Sequence, residues 1–329
     1  MNGTKEDRRA SDGTGRAYII PGFVWPRWLA LSREVWVKEL RAPFLLLPIV
    51  FVPVGLAIAW SEGYFNPFYA LLTLVGAVCL HASVNVLNDY FDFRSGIDLA
   101  TTPTPFSGGS TILPKGLMSS KGVLCLGSLL LGAGLGIGCY FVYESSSDLV
   151  LISLLAFAAF SIISYSPMTS KLGIGEMTTG AAFGPLLILG TYYVQVHQLS
   201  VVPVIFGLPL GIMTAGILYV NEFPDTDADK GAGRNHLVAR WGKVKAAYRL
   251  KFILASAYAI PVAGVIAGAI SPFALISLAS VPKALATSRI VSKNCEKVTE
   301  LIPGMASMVM TTLLTGMLLC TSCLAAGLI

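Results

Sequence analysis

Charge is what this chain has least of. Of its 329 residues only 12% are Asp, Glu, Lys or Arg, while 54% are hydrophobic and mean hydropathy is +0.71. A soluble core does not need that much apolar material, so a solvated globular domain is excluded and an integral membrane protein is indicated. Cysteine is sparse as well. The six (Cys79, Cys125, Cys139, Cys295, Cys320, Cys323) fall mostly inside apolar runs, where they behave as small packing residues. Cys320 and Cys323 have CxxC spacing but no second pair, so neither a disulfide framework nor a zinc site is indicated. No cleavable signal peptide is evident, because the first apolar run begins near residue 44.

What remains is nine apolar runs of spanning length, at about 44–60, 68–87, 123–143, 149–165, 177–194, 201–220, 246–268, 272–291 and 303–329. Several carry proline (Pro48, Pro53, Pro185, Pro209, Pro261, Pro282), which predicts kinked helices whose freed backbone groups are satisfied by neighbours. Residues 1–35 are expected to form a disordered cytoplasmic tail and 36–329 the membrane domain.

Basic charge is absent from one side. All 23 Lys and Arg residues lie before the first run, in the even-numbered connections, or at the helix ends beside them. The odd connections, near 61–67, 144–148, 195–200 and 269–271, have none. By the positive-inside rule the N-terminus and the even connections are cytoplasmic, most naturally at the cell membrane. The net charge of +5 therefore reports orientation, and no nucleic-acid partner is expected. Two cytoplasmic connections, about 94–121 and 226–245, are long and directly follow acid-rich stretches, which suits lids over a site.

Those stretches, Asn85–Asp92 and Asn221–Asp229, are roughly 133 residues apart. At about 100° per helical residue, Asn85, Asn88, Asp89 and Asp92 share one face. Asn221, Glu222, Asp225 and Asp229 share another, while Asp227 points away. Acids near hydrocarbon cost at least about 2.5 kcal/mol each even on lenient scales, so two such faces call for a cation. Mg²⁺ favours oxygen ligands and is commonly held by a few carboxylates together with substrate phosphate, so the pair reads as a metal-diphosphate site. Helix capping and solvated charge could account for one cluster alone, but the matched pair speaks against it. A cation-coupled transporter would place its acids near mid-membrane in broken helices, whereas these cluster at one edge.

At these residues the chain resembles the UbiA superfamily of intramembrane prenyltransferases. That resemblance implies an all-α integral membrane fold, with nine transmembrane helices in a bundle around a central cavity open to the cytoplasmic side. The family carries two Asp-rich motifs, NDxxDxxxD and DxxxD, that bind Mg²⁺ and a prenyl diphosphate. Asn88-Asp89-x-x-Asp92 is similar to the first, although position 96 is Gly and the next acid is Asp98. Asp92-Phe93-x-x-Gly96-x-Asp98 resembles the menaquinone-type branch, which prenylates 1,4-dihydroxy-2-naphthoate with loss of CO₂ from the prenylated carbon. Asn221, Asp225 and Asp229 match the second motif, followed by Lys230 and Gly233-Arg234, with Asn235-His236 departing from the branch pattern. Arg41-Ala42-Pro43, Tyr165-Ser166-Pro167 with Lys171, and Phe106–Ser110 carry weaker similarities.

The resemblance implies Mg²⁺ held by Asn88, Asp89, Asp92, Asp98, Asn221, Asp225 and Asp229, with Arg41, Asn85, Lys171 and Arg234 on the diphosphate. Asp92, Asp225 and Lys171 would be catalytic. His81, one turn deeper than Asn85 on the same helix, faces the expected cavity as a candidate contact to the acceptor or as a packing residue. The expected partners are a polyprenyl diphosphate, an aromatic acceptor and the lipid bilayer. Other family acceptors are 4-hydroxybenzoate, homogentisate, haem and glycerol-phosphate ethers, and some members cyclise the prenyl chain. The sequence fixes no oligomeric state.

Overall fold

The computed structural model describes residues 32–328, which form helices and connecting loops with no strand among them. The helices are α1 Arg33–Glu39, α2 Leu46–Ser61, α3 Pro67–Ser95, α4 Ile97–Ala100, α5 Ser120–Glu144, α6 Leu149–Ser164 and α7 Ser170–Leu172. They continue as α8 Gly175–Ala181, α9 Leu187–Val196, α10 Val202–Gly231, α11 Leu237–Trp241, α12 Lys243–Ile266, α13 Val281–Asn294 and α14 Val298–Gly327. Seven helical segments, Ala42–Ser61, α3, α5, α10, α12, Pro272–Asn294 and α14, are long and apolar enough to cross a membrane.

The other two expected spans differ for local reasons. The run at 149–165 gives a helix of only 16 residues, which ends in a π-turn at Tyr165–Thr169. The run at 177–194 is interrupted by a π-turn, Ala182–Leu186, around Pro185, whose ring cannot donate the helical hydrogen bond. Residues 1–31 of the expected tail lie outside the described residues, and its expected boundary at 35 shifts because Arg33–Glu39 is helical and buries Val35.

Both helices that carry acids run past their expected ends. Asn66 caps α3, its Oδ1 accepting from Phe68 N at 3.0 Å and Tyr69 N at 3.2 Å, and Pro67 occupies the first turn. The helix stops only at Gly96, whose φ of 81° is a left-handed C-cap that residues with a Cβ disfavour. Helix α10 runs 30 residues through Pro209 and Pro224 to Gly231. The expected loop 226–245 therefore shrinks to a short turn before α11.

The core joins α2, α9, α10, α12 and α14 through Phe51, Ile188, Leu210, Met213, Leu250 and Met308. Large apolar side chains such as Leu71, Leu129, Phe160, Met177, Phe252 and Met310 face outward, as a lipid-facing surface requires. Small residues bring the interrupted helix against α10. A Cβ at Gly184 would lie 2.4 Å from Gly207 O, and one at Gly211 would lie 2.4 Å from Gly180 O. The two GxxxG spacings, Gly180/Gly184 and Gly207/Gly211, thus let the backbones touch, as in membrane helix pairs generally. At the end of the bundle away from the acids, Tyr192 donates to Glu62 at 2.6 Å and Tyr193 to Asp148 at 2.5 Å, tying α9 to two hairpin turns.

Candidate active site

The acid-bearing ends of α3 and α10 face each other across a polar cavity of about 110 Å³, lined among others by Asn88, Asp92, Asp98, Asn221, Asp225, Asp229 and Arg234. Beneath it lies an apolar cavity of about 320 Å³ whose walls include Leu80, His81, Phe157, Phe183 and Leu187. The two cavities share Arg41, Phe106, Tyr165, Leu218 and Asn221. The arrangement can hold a molecule with an anionic head and a long apolar body.

Helical spacing brings the expected donors into place. Asn88 Nδ2 donates to Asp92 Oδ2 at 3.0 Å and to Ser166 Oγ at 2.7 Å, so the first π-turn braces the first motif. Arg234 bridges the motifs, pairing with Asp92 through Nη2 and with Asp229 Oδ1 through Nη1 at 3.1 Å. Arg41 Nη2 pairs with Asp89 Oδ1 at 2.6 Å. Asp227 is 88% exposed and pairs with Lys243, so it points away as its register predicts.

Three expected site residues sit differently. Asp89 is buried behind the polar cavity, its oxygens taken by Arg41 and by Ser110 N, because it lies about 100° around the helix from Asn88 and about 60° from Asp92. Asn85 Nδ2 donates to Leu40 O at 3.2 Å and lines only the apolar cavity. Lys171 is exposed and lines neither cavity, because the π-turn and α7 direct Tyr165 and Ser170 inward and Lys171 outward. His81 is buried in the apolar cavity, edge-on to Phe183 with ring centroids 4.5 Å apart, and its Nδ1 has no hydrogen-bond partner among the described residues.

Sequence reasoning missed several contributors. Glu39 accepts from Ser110 Oγ at 3.1 Å. His236 lies 3.1 Å from Glu222 Oε2 and 3.3 Å from Asp229 Oδ2, and Glu176 Oε1 caps α11 by accepting from Leu237 N at 2.8 Å. Gly108 N donates to Asp225 Oδ2 at 3.1 Å. The buried-face position of Glu222, the consecutive glycines at 108–109 and the place of His236 beside the second motif were visible beforehand; these contacts were not.

The local field is strongly negative. Burial, with Asp89 and Asp92 adding to it, pushes the Asp98 carboxyl up to about 7. Burial alone would lower His236, but Asp229 and Glu222 outweigh it and push the imidazole up to about 9.

Whether a metal ion suits this site is answered by the oxygens. Asn221 Oδ1, Asp225 Oδ1 and Asp98 Oδ2 all belong to residues lining the polar cavity, and all are buried without a hydrogen-bond partner among the described residues. Hard oxygen donors left unsatisfied in an acidic pocket fit a cation such as Mg²⁺. Among the described residues no three His, Cys, Asp or Glu side chains form a closed ligand group. The donor set therefore suits an ion shared with a ligand's own oxygens, not an all-protein cage.

Residues 45–313 match the model of the UbiA prenyltransferase family. The chain belongs to that family. It is a multi-pass membrane prenyltransferase. It is 29% identical over 219 residues to the 1,4-dihydroxy-2-naphthoate octaprenyltransferase of Escherichia coli (strain K12), covering 65% of this chain and 70% of that one. To the enzyme of the same name from Bacillus subtilis (strain 168) it is 28% identical over 301 residues, or 91% of this chain and 94% of that one. Its fold superposes on a UbiA homolog from Archaeoglobus fulgidus, bound to DMAPP and Mg²⁺, with TM-score 0.55 and 14% identity, covering 88% of this chain and 99% of the other.

Proposed function

We propose that this prenyltransferase moves a polyprenyl group from its diphosphate to an aromatic acceptor, 1,4-dihydroxy-2-naphthoate, in a Mg²⁺-dependent reaction of menaquinone biosynthesis. The chain crosses the membrane nine times, α6 and the α8–α9 segment completing the seven long spans. The acid-bearing mouth faces the cytoplasm at the cell membrane, a reading that the one-sided Lys and Arg distribution supports.

The observation that carries this reading is the junction of the two cavities at Arg41, Phe106, Tyr165, Leu218 and Asn221. A prenyl diphosphate laid across it has its tail among apolar walls and its head among Asp92, Asp225, Asp229, Asn88 and Asn221. When bound there, Mg²⁺ neutralises the diphosphate and stabilises it as a leaving group. Arg234 and Arg41 add fixed positive charge at the edge where negative charge accumulates, the placement from which catalysis gains most. The allylic C–O bond breaks and the diphosphate leaves with the bonding electrons. The acceptor ring attacks the allylic carbon at the junction, where Phe106 and Tyr165 supply aromatic walls; the C–CO₂⁻ bond at the prenylated carbon then breaks, CO₂ leaves, and its bonding electrons restore the ring.

The acceptor assignment rests on the Asp92-Phe93-x-x-Gly96-x-Asp98 pattern and on the relatives' names. Its test is mass spectrometry of products from the purified protein given geranylgeranyl diphosphate, Mg²⁺ and a panel of acceptors. A prenylated naphthalene product from dihydroxynaphthoate alone is expected. Efficient use of 4-hydroxybenzoate or homogentisate instead, or diphosphate release without any acceptor, would replace this reading with another acceptor or with a terpene cyclase.

A further inference from the structure

Three consecutive residues at the end of α1 each grip the site through a different group. Glu39 is fully buried, and its Oε2 accepts from Ser110 Oγ at 3.1 Å. Leu40 O accepts from Asn85 Nδ2 at 3.2 Å, and Arg41 Nη2 donates to Asp89 Oδ1 at 2.6 Å. Arg41 does so from a left-handed backbone, φ 49°, which a residue with a Cβ keeps only when its surroundings hold it there.

The far end of this grip is the loop 108–110, which ties the two acid motifs together. Ser110 N donates to both oxygens of Asp89, at 3.2 and 3.1 Å, and Gly108 N donates to Asp225 Oδ2 at 3.1 Å. Gly109 between them lies so close to Asp98 that a Cβ there would sit 2.7 Å from Oδ1. Phe106 packs edge-on to Phe44, with ring centroids 6.1 Å apart, and anchors the loop's near end. Glu39 anchors its far end. It lines neither cavity and so touches no substrate. A fully buried carboxyl group is costly to keep unless something is gained by it.

We propose that Glu39 is a positioning residue: through Ser110 it fixes the 108–110 bridge, and with it the placement of Asp225 at the diphosphate head and of Asp89 in the layer behind it. This rests on the reading above, that the two motifs receive a diphosphate with its metal ion. Burial, with Asp89 adding to it, pushes Glu39 up to about 8, so glutamine closely mimics the side chain at neutral pH.

The test uses the full-length protein in detergent and follows binding of geranyl thiodiphosphate, an unreactive analogue, with excess Mg²⁺ and with chelator. Glu39→Gln is expected to bind within about twofold of wild type, because its carbonyl still accepts from Ser110. Glu39→Ala and Ser110→Ala are expected to weaken Mg²⁺-dependent binding about tenfold, the effect of losing one buried hydrogen bond between neutral groups. The double variant should be no weaker than the weaker single, since both changes remove the same contact. Wild-type affinity in Ser110→Ala, equal loss in Glu39→Gln and Glu39→Ala, or multiplying losses in the double variant would overturn the inference. Ser110→Ala and Glu39→Gln decide it by themselves if Glu39→Ala fails to fold. A wild-type protein that does not bind the analogue overturns the diphosphate reading and this inference together, whereas normal wild-type binding with unaffected variants overturns only the role of Glu39.

Discussion

Among the described residues Arg234 is the single cation that joins the two acid motifs, and replacing it with Gln should expose what holds them together. Its guanidinium pairs with Asp92 on α3 and Asp229 on α10, and its side chain is only 14% exposed. At an effective dielectric near 20, a contact of about 3 Å is worth about 5 kcal/mol before desolvation, most of which burial takes back. Removing one partner of a buried pair typically costs about 3–5 kcal/mol, because the remaining charge is stranded. Here the site opens on a polar cavity, so the lower figure, about 3 kcal/mol, applies. For a chain of this size that corresponds to a fall of roughly 6 °C in Tm, at roughly 2 °C per kcal/mol. The assay is thermal unfolding in detergent with a chelator and then with excess Mg²⁺. In the wild type an ion must compete with Arg234 for Asp92, whereas in Arg234→Gln it meets a free carboxylate. The Mg²⁺-induced rise in Tm should therefore be larger in the variant. At a concentration 100 times its Kd the ion adds about 2.7 kcal/mol, enough to recover most of the loss. An unchanged Tm in chelator, or a Mg²⁺ response no larger than that of the wild type, would refute this account.

Other outcomes follow from the same geometry. Asp92→Ala and Asp225→Ala should each leave insertion intact and turnover below about a tenth of wild type, since removing a preorganised charge at a reacting centre typically costs 10²–10³-fold; more than a tenth retained in both would count against the two-motif clamp. Cysteines placed at Thr102 and Ala232 in a cysteine-free background should react with impermeant reagent from the cytoplasmic side only, and labelling from outside would reverse the orientation. Gly184→Leu should cost about 3 kcal/mol or more through overpacking against Gly207 and Gly211, read as loss of the monodisperse peak in size-exclusion chromatography. His81→Ala should raise the acceptor KM or lower kcat while the affinity for prenyl diphosphate stays the same, and unchanged acceptor kinetics would make His81 a packing residue.

The acid faces were legible in the sequence because two strong physical constraints coincide there. Carboxylates in an apolar segment are too costly to be incidental, and the 3.6-residue period then fixes which of them converge. That is why Asn88, Asp92, Asn221, Asp225 and Asp229 line one cavity and Asp227 does not. Asp89 shows the limit of the same argument. Sharing a broad face with Asp92 did not reveal that its oxygens are taken by Arg41 and Ser110, partners 48 and 21 residues away. Hydropathy located the apolar runs, seven of them as segments long enough to cross a membrane, but not their internal structure. The π-turns at Tyr165–Thr169 and Ala182–Leu186 shorten or divide two of them, and one of these turns carries Lys171 away from the site it was expected to join.

The residues that were not legible share one property: each is held by tertiary contact, not by local pattern. Glu39 reads as an ordinary acid near a basic N-terminal segment until Ser110, 71 positions on, is seen to donate to it. His236 reads as a departure from a motif until Glu222 and Asp229 surround it. The glycines at 180, 184, 207 and 211 read as apolar filler, although their spacing is a known device for close helix approach. Their effect is to let α10, which carries the second acid motif, lie directly against the interrupted helix. The first π-turn then braces Asn88 through Ser166 from the other side. A metal-diphosphate site has to hold its two halves at a fixed separation, and no residue within either half can set that separation. It is set by the elements between them: Arg234 at the cavity, the 108–110 loop behind it, and the glycine contact beneath. Substitutions in the loop and at the glycine contact should therefore alter metal and diphosphate affinity without touching a single ligand.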